Sequence, residues 1–280
     1  MGNGPARGKF ALSKSPRYMK KLLTVFTATT LLFGACKKKD QPDPNPSPTP
    51  TPSGKYLTKV NYWTVSSNTE VTIRAIEVNS SGDIMAINTF STANKPLLKL
   101  TTFSKDGNGR IATVEGKFQD TGARKWQFDY DATGNVVKTT YTASGMVTTY
   151  TYAYDSDNRL TKEETSEVDK PTSIVSRTTY TYSGTSKNPA TSKHESLTFS
   201  PVMVTESSFT FDGKKNPYSS LGSNSKMLYY LDMGEFFTEN VSEEKVKDGS
   251  TYTNTHQYNS DNYAISKDGG KGSGLKFYYQ

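Results

Sequence analysis

The sequence predicts an all-β protein, an antiparallel meander of about 14–17 strands curled into a barrel or half-barrel. Three observations carry that expectation. Aromatic and β-branched residues alternate with polar ones at a period of two. Turn residues recur at short, regular intervals. Long helical runs of Ala, Leu, Glu and Lys are missing from a chain that is 33% hydrophobic.

The elements follow in order. Residues 1–35 read as an export signal: Met19-Lys20-Lys21 opens a basic region and an apolar stretch covers residues 22–33. That stretch has about 12 residues, too few for a membrane span of roughly 20. Met19 is the expected start. Gly34-Ala35-Cys36 resembles the lipobox of bacterial lipoproteins, which implies cleavage before Cys36 and acylation of its thiol. Phe33 stands where that motif usually has Leu. Residues 36–54 form a spacer in which alternating proline from Asp40 to Ser53 favours an extended polyproline II chain. Lys37, Lys38 and Lys39 are placed to meet anionic headgroups. Residues 55–280 remain as one domain, long enough for a single buried core.

Within that domain an aromatic or Val is followed four residues on by Gly or Asn. The pairs are Val78/Gly82, Phe103/Gly107, Phe118/Gly122, Tyr130/Gly134, Tyr141/Gly145, Tyr154/Asn158 and Tyr258/Asn262. Gly and Asn accept positive φ at low cost, so the period reports hairpin turns. Thr92-Ala93-Asn94-Lys95-Pro96 adds another by composition. About 13 residues per strand and turn leave strands of roughly nine residues, with no room for crossover helices. Trp126, Phe128 and Tyr130 share one face of a strand, and Tyr150, Tyr152 and Tyr154 share another. The pattern lapses near residues 217–240, where a short helix or capping loop is expected to plug or cover one end of the sheet. Residues 274–280 read as a closing strand.

The net charge of +7 is misleading as a guide to partners. Residues 1–35 hold six basic and no acidic residues, and residues 55–280 hold 25 of each sign. A neutral domain has no footprint for a phosphate backbone, so nucleic-acid binding is excluded. Cys36 is the single cysteine, and no disulfide within the chain supports the fold.

Chemistry is hard to find. His194 and His256 lack partners at metal-ligand spacing and read as surface or strand histidines; no metal and no cofactor is expected. Asp155-Ser156-Asp157-Asn158 looks like a calcium loop but lacks the following Gly and the distal Glu, and a hairpin turn explains it. Glu163-Glu164 and Glu243-Glu244 sit among lysines and read as solvated strand edges. The aromatic stripes are expected to form the core, because the domain has few aliphatics to bury. If exposed, Trp63, Trp126, Tyr150 and Tyr152 would form a platform for sugar rings or an extended peptide.

Two segments carry a family pattern. Phe128-Asp129-Tyr130-Asp131-Ala132-Thr133-Gly134-Asn135-Val136 and Tyr152-Ala153-Tyr154-Asp155-Ser156-Asp157-Asn158-Arg159-Leu160 resemble the tyrosine–aspartate (YD, Rhs-type) repeat. Together with the lipobox, the Pro-rich spacer, Phe211-Asp212-Gly213-Lys214-Lys215-Asn216-Pro217-Tyr218 and Lys187-Asn188-Pro189, the plan is similar to a family of Bacteroidota lipoproteins with a porin-like β fold. The resemblance implies a lipid-anchored protein of the cell envelope at the outer membrane, and it implies no activity. The expected role is a non-enzymatic binding or scaffolding module whose ligand is a glycan or an envelope protein. An outer-membrane porin-like channel is the first rival and an envelope hydrolase the second.

Overall fold

The structure, a computed structural model, describes residues 55–280 apart from 65–68, 92, 94, 120–121 and 271–272. The expected signal peptide, its start at Met19, Cys36 and the Pro-rich spacer lie outside the described residues.

The strands are β1 (Leu57–Thr64), β2 (Thr69–Val78), β3 (Ile84–Phe90), β4 (Pro96–Lys105), β5 (Ile111–Phe118), β6 (Gly122–Tyr130), β7 (Val136–Ala143), β8 (Met146–Tyr154) and β9 (Leu160–Glu167). They continue as β10 (Lys170–Thr181), β11 (Thr191–Ser196), β12 (Met203–Lys215), β13 (Glu239–Val246), β14 (Thr251–Thr253), β15 (Thr255–Tyr258), β16 (Ala264–Asp268) and β17 (Ser273–Tyr279). A 3-10 stretch (Pro217–Asn224) and a short helix, α1 (Ser225–Tyr230), interrupt them between β12 and β13.

Apart from β14 and β15, each strand pairs antiparallel with its neighbour in the chain, and β17 returns to β1 with Val60 opposite Phe277. The ring is complete but for one seam. β14 pairs with β13 and β15 pairs with β16, so the two act as one strand bent at Asn254. Asn254 holds the bend by donating to the Ser242 and Val241 carbonyls. Counting that bent strand once turns 17 strands into 16 positions, an even number, which lets first and last strands meet antiparallel. The all-β meander expected from the alternation is therefore present, as a nearly closed barrel.

One rim is built from a repeated turn. Asn79, Asp106, Asp131, Asp155 and Asn259 each accept, on one side-chain oxygen, the N–H groups two and four residues on. The fourth turn residue takes positive φ: Gly82 at 83°, Gly109 at 78°, Gly134 at 89°, Asn158 at 58° and Asn262 at 63°. The Asp155 segment is thus a hairpin turn of this kind. Phe103/Gly107 is misplaced by two residues, because Asp106 and Gly109 set that turn. Phe118/Gly122 and Tyr141/Gly145 belong to the opposite rim, where Ser144 and Gly145 take positive φ together.

Tyrosines stitch the turn rim laterally. The hydroxyls of Tyr130, Tyr154, Tyr182 and Tyr279 donate to the carbonyls of Ile111, Val136, Leu160 and Ala264, each just beyond the preceding turn. Arg110 lies over the Tyr130 ring and Arg159 over Tyr182, adding cation–π contact. A tyrosine directly before the turn acid, as at Tyr130 and Tyr154, thus binds its hairpin to the neighbouring one.

The core lies on the inner face. Leu57, Val60, Ile87, Leu100 and Val114 are fully buried, while β6 turns Trp126 and Phe128 inward and exposes Lys125, Gln127 and Asp129.

Candidate functional site

The segment between β12 and β13 enters the barrel. Asn216 caps the 3-10 stretch by accepting from the Tyr218 N–H at 2.9 Å, and Pro217 presets its first turn. Gly222 at φ 57° breaks the stretch from α1, and Asp232 at φ 58° ends the helical run. Ser220 accepts from Leu57 N on β1, and Tyr218 accepts from Arg74 on β2. Tyr230 bonds Tyr154 on β8, and Tyr229 donates to Glu163 on β9. Phe236 packs edge-on against Tyr180 of β10, and Tyr218 against Phe277 of β17. A segment that touches β17, β1 and β2 on one side and β8, β9 and β10 on the other lies in the lumen. It is a plug, with Met227, Leu228, Tyr230, Leu231 and Met233 buried in the common core. The two Asn-Pro pairs bracket it: Asn216 opens it, and Asn188 closes it by accepting from Thr238 N and Oγ1.

Glu163 is the least expected member of this site. The sequence pattern places Glu163-Glu164 on a solvated edge, but adjacent strand residues face opposite ways. Glu164 points outward to Arg177 and Lys162, at 2.7 and 3.2 Å. Glu163 points inward to Tyr229, with Tyr150, Tyr152 and Tyr180 close by. Burial pushes its carboxyl above the usual range; the Tyr229 bond offsets part of this, and the Asp232 charge adds to it. Asp232, although its side chain keeps an exposed face, is raised too by the desolvation around it, with Arg74 opposing.

A second polar cluster lies behind the seam, around a cavity of about 30 Å³ lined by Asn216, Glu235, Asn240, His256 and Lys267 among others. That volume has room for about one water. His256 faces Asp212 at 3.4 Å and is buried rather than superficial. Its pKa falls through burial and the Lys267 charge, against Asp212 and Glu235. Lys267 lies 3.6 Å from Glu235, which also accepts from Asn216. Acid, base and amide are satisfied by one another. His194 sits on β11 between Thr178 and Ser196. Among the described residues no group of three or more His, Cys, Asp or Glu could hold a metal ion.

The four nominated aromatics do not come together. Trp126 is 7% exposed and packs on Tyr141 at 4.7 Å. Tyr152 packs on Tyr230 at 4.9 Å, and Tyr150 is half-buried in the lumen. Of the four, Trp63 faces outward, across Gly274, where an added Cβ would lie 2.9 Å from its Nε1. Around it the outer face carries Asn61, Lys276 and Tyr278, all bonded to Glu70. A sequence signal for this grouping exists in the alternation of Phe277 and Tyr279 with Lys276 and Tyr278, but β1 must meet β17 before it forms.

The outer wall is charged at mid-strand. Lys125–Glu115, Arg177–Glu164, Lys193–Glu195 and Lys276–Glu70 pair at 2.6 to 2.9 Å. An inward aromatic core, an outward charged wall and an internal plug define an up-and-down β-barrel filled by its own chain.

In a comparison with solved structures the chain is similar to a porin-like protein from Bacteroides uniformis ATCC 8492. The two are 14% identical with a TM-score of 0.53, over 82% of this chain and 99% of that one. A porin-like protein from Bacteroides vulgatus ATCC 8482 aligns at 12% identity and a TM-score of 0.38, over 80% of this chain and 98% of that one. The first likeness shows a shared porin-like β fold. No family model and no curated protein matches the sequence.

Proposed function

We propose that the chain is a non-enzymatic protein of the cell envelope, anchored at the outer membrane by acyl chains on Cys36, whose barrel stands in water as a binding or scaffolding module. The supporting observation is a charged outer wall around a plugged lumen. A barrel in lipid carries an apolar outer band about 25 Å tall, and each Lys or Arg at its midplane costs about 2–4 kcal/mol. Lys125, Arg177 and Lys193 occupy the outward face, and residues 217–236 occupy the space a channel would need.

Glycans are the ligand class, and the outward patch of Trp63, Glu70, Lys276 and Tyr278 is the surface assigned to them: aromatic area beside hydrogen-bonding groups suits a sugar ring. With Trp126 replaced by Phe, Trp63 is the only tryptophan, and its fluorescence should shift on adding envelope oligosaccharides. Loss of binding in Trp63→Ala with unchanged unfolding supports the assignment. No shift with any glycan leaves the scaffolding role alone.

The porin-like channel is the second reading, favoured by the fold likeness. The chain from residue 37 onward, with no detergent, separates the two. A monodisperse monomer on sizing supports the water-facing barrel. A detergent requirement followed by single-channel conductance supports the channel.

A further inference from the structure

We propose that the rim opposite the repeated turns, centred on residues 197–204, docks into the surface of the lipid bilayer that carries the anchor. This rests on the lipid-anchor reading above. Among the described residues, eight large hydrophobic side chains are exposed, and seven of them belong to this rim: Met146, Val168, Phe199, Val202, Met203, Val204 and Tyr252. Four stand together at the β11–β12 connection, with Phe199 50%, Val202 43%, Met203 57% and Val204 47% exposed.

Residues 196–205 read SLTFSPVMVT, ten positions without a charge, although Glu195 and Glu206 flank them. The connection is a hairpin tip, tied to the wall where Leu197 N donates to the Val175 carbonyl at 2.8 Å. Val168 and Met146 occupy the next tips along the rim. Tips two strands apart are about 10 Å apart, and the Val168 tip also carries Glu167, Asp169 and Lys170, so the charge-free part of the rim is the 197–204 tip. Between Glu195 and Glu206 the 196–205 tip itself holds no charge, and so no paired charge of its own that would register a protein partner; the rim's ion pairs, Lys170–Glu167 and Lys247–Glu206, flank it. It suits the interface of a bilayer, where apolar side chains enter without a fixed register.

The anchor permits this orientation. The chain enters β1 from the turn rim, so a short tether would press that rim to the membrane. If residues 36–54 took the extended form that their prolines favour, at about 3.1 Å each, they would span roughly 59 Å. The wall, at about nine residues per strand, is only about 30 Å tall. A tether of that length would exceed the wall and would leave either rim free to meet the lipid. Asp106, Arg110, Asp155 and Arg159 charge the turn rim; on the other rim the charges sit at the neighbouring tips, such as Lys170–Glu167 and Lys247–Glu206, and residues 196–205 bring none.

The test uses the full acylated protein in phosphatidylethanolamine–phosphatidylglycerol vesicles. An environment-sensitive dye is placed on Thr198→Cys at the apolar rim or on Ser156→Cys at the turn rim, and spin-labelled lipids serve as quenchers. Quenching at residue 198 and not at 156, unchanged by salt, is the expected result. Phe199→Ser with Met203→Ser should weaken it at least about tenfold. Val202→Glu is a second, independent way to weaken it. Quenching at 156 alone overturns the proposal. So does absence of quenching at both sites in protein that floats with the vesicles, which leaves the anchor intact. Protein that does not float with the vesicles overturns the anchor and the docking together.

Discussion

The two rims of the barrel are built on different principles. At the turn rim, side-chain oxygens replace backbone partners: Asn79, Asp106, Asp131, Asp155 and Asn259 each gather two N–H groups, and tyrosine hydroxyls join hairpin to hairpin. The plug leaves and rejoins the wall there, clasped by Asn216 and Asn188. The far rim is joined by backbone bonds, such as Asp169 N to Val147 O and Lys247 N to Glu206 O, and the tip at residues 197–204 is left apolar. The far rim uses side-chain acceptors too, with Asp169 taking Val147 N and Asp248 taking Ser250 N, but its 197–204 tip leaves apolar side chains facing out, which is the condition for a surface with a use.

This contrast makes the plug and its rim sensitive to substitution and the far rim tolerant. Leu228→Ala in the plug should have the largest effect, about 3–5 kcal/mol in urea unfolding, because Leu228 is fully buried and its space cannot collapse against the wall. An effect near zero would mean the plug is not part of the folded core. Asn259→Ala should cost about 1–2 kcal/mol, since two turn N–H groups lose their acceptor. At the other rim, Phe199→Ser should change stability in water by less than about 0.5 kcal/mol. A larger loss would show that the tip serves the fold.

Acid and base should separate the regions as well. Burial raises Glu163, so the stability it contributes is whole below the ordinary value of 4.5 and is lost as pH rises through the raised value. Asp232 has the same sign. Asp106 and Asp131 have the opposite sign: hydrogen bonds from Arg110 and Thr133 lead in lowering them, so their contribution is present above 3.8 and lost as pH falls through the lowered value. Hydrogen exchange across residues 217–236 should therefore quicken, beyond its intrinsic pH dependence, as pH rises above 4.5. Glu163→Gln should remove most of that excess. The 131–135 turn should loosen only in strong acid. The same response in both regions would contradict the separation.

Much of the wall was legible along the chain. Period-two alternation marked the strands, and Gly82, Gly134, Asn158 and Asn262 marked their turns, because both signals are local. A local signal is ambiguous where it has two possible causes. Gly107 and Gly109 compete for a single turn, and only the position of Asp106 decides between them. Glu163 and Glu164 look alike in sequence, and facing decides that one meets Tyr229 in the lumen while the other pairs with Arg177 and Lys162 on the outer wall. His256 looked superficial until Asp212, Glu235 and Lys267 arrived from other strands and from the plug.

By itself the sequence determined that this protein is a chain of antiparallel hairpins with polar and aromatic faces, since each hairpin is specified within about 25 residues. Only the tertiary structure decided that Val60 meets Phe277 and closes the ring, and that Tyr229 meets Glu163 inside it. Those contacts join positions far apart in the chain, and no local pattern encodes which distant partner a face will bury. Closure made one face an interior, and that interior drew in the segment where strand alternation lapses.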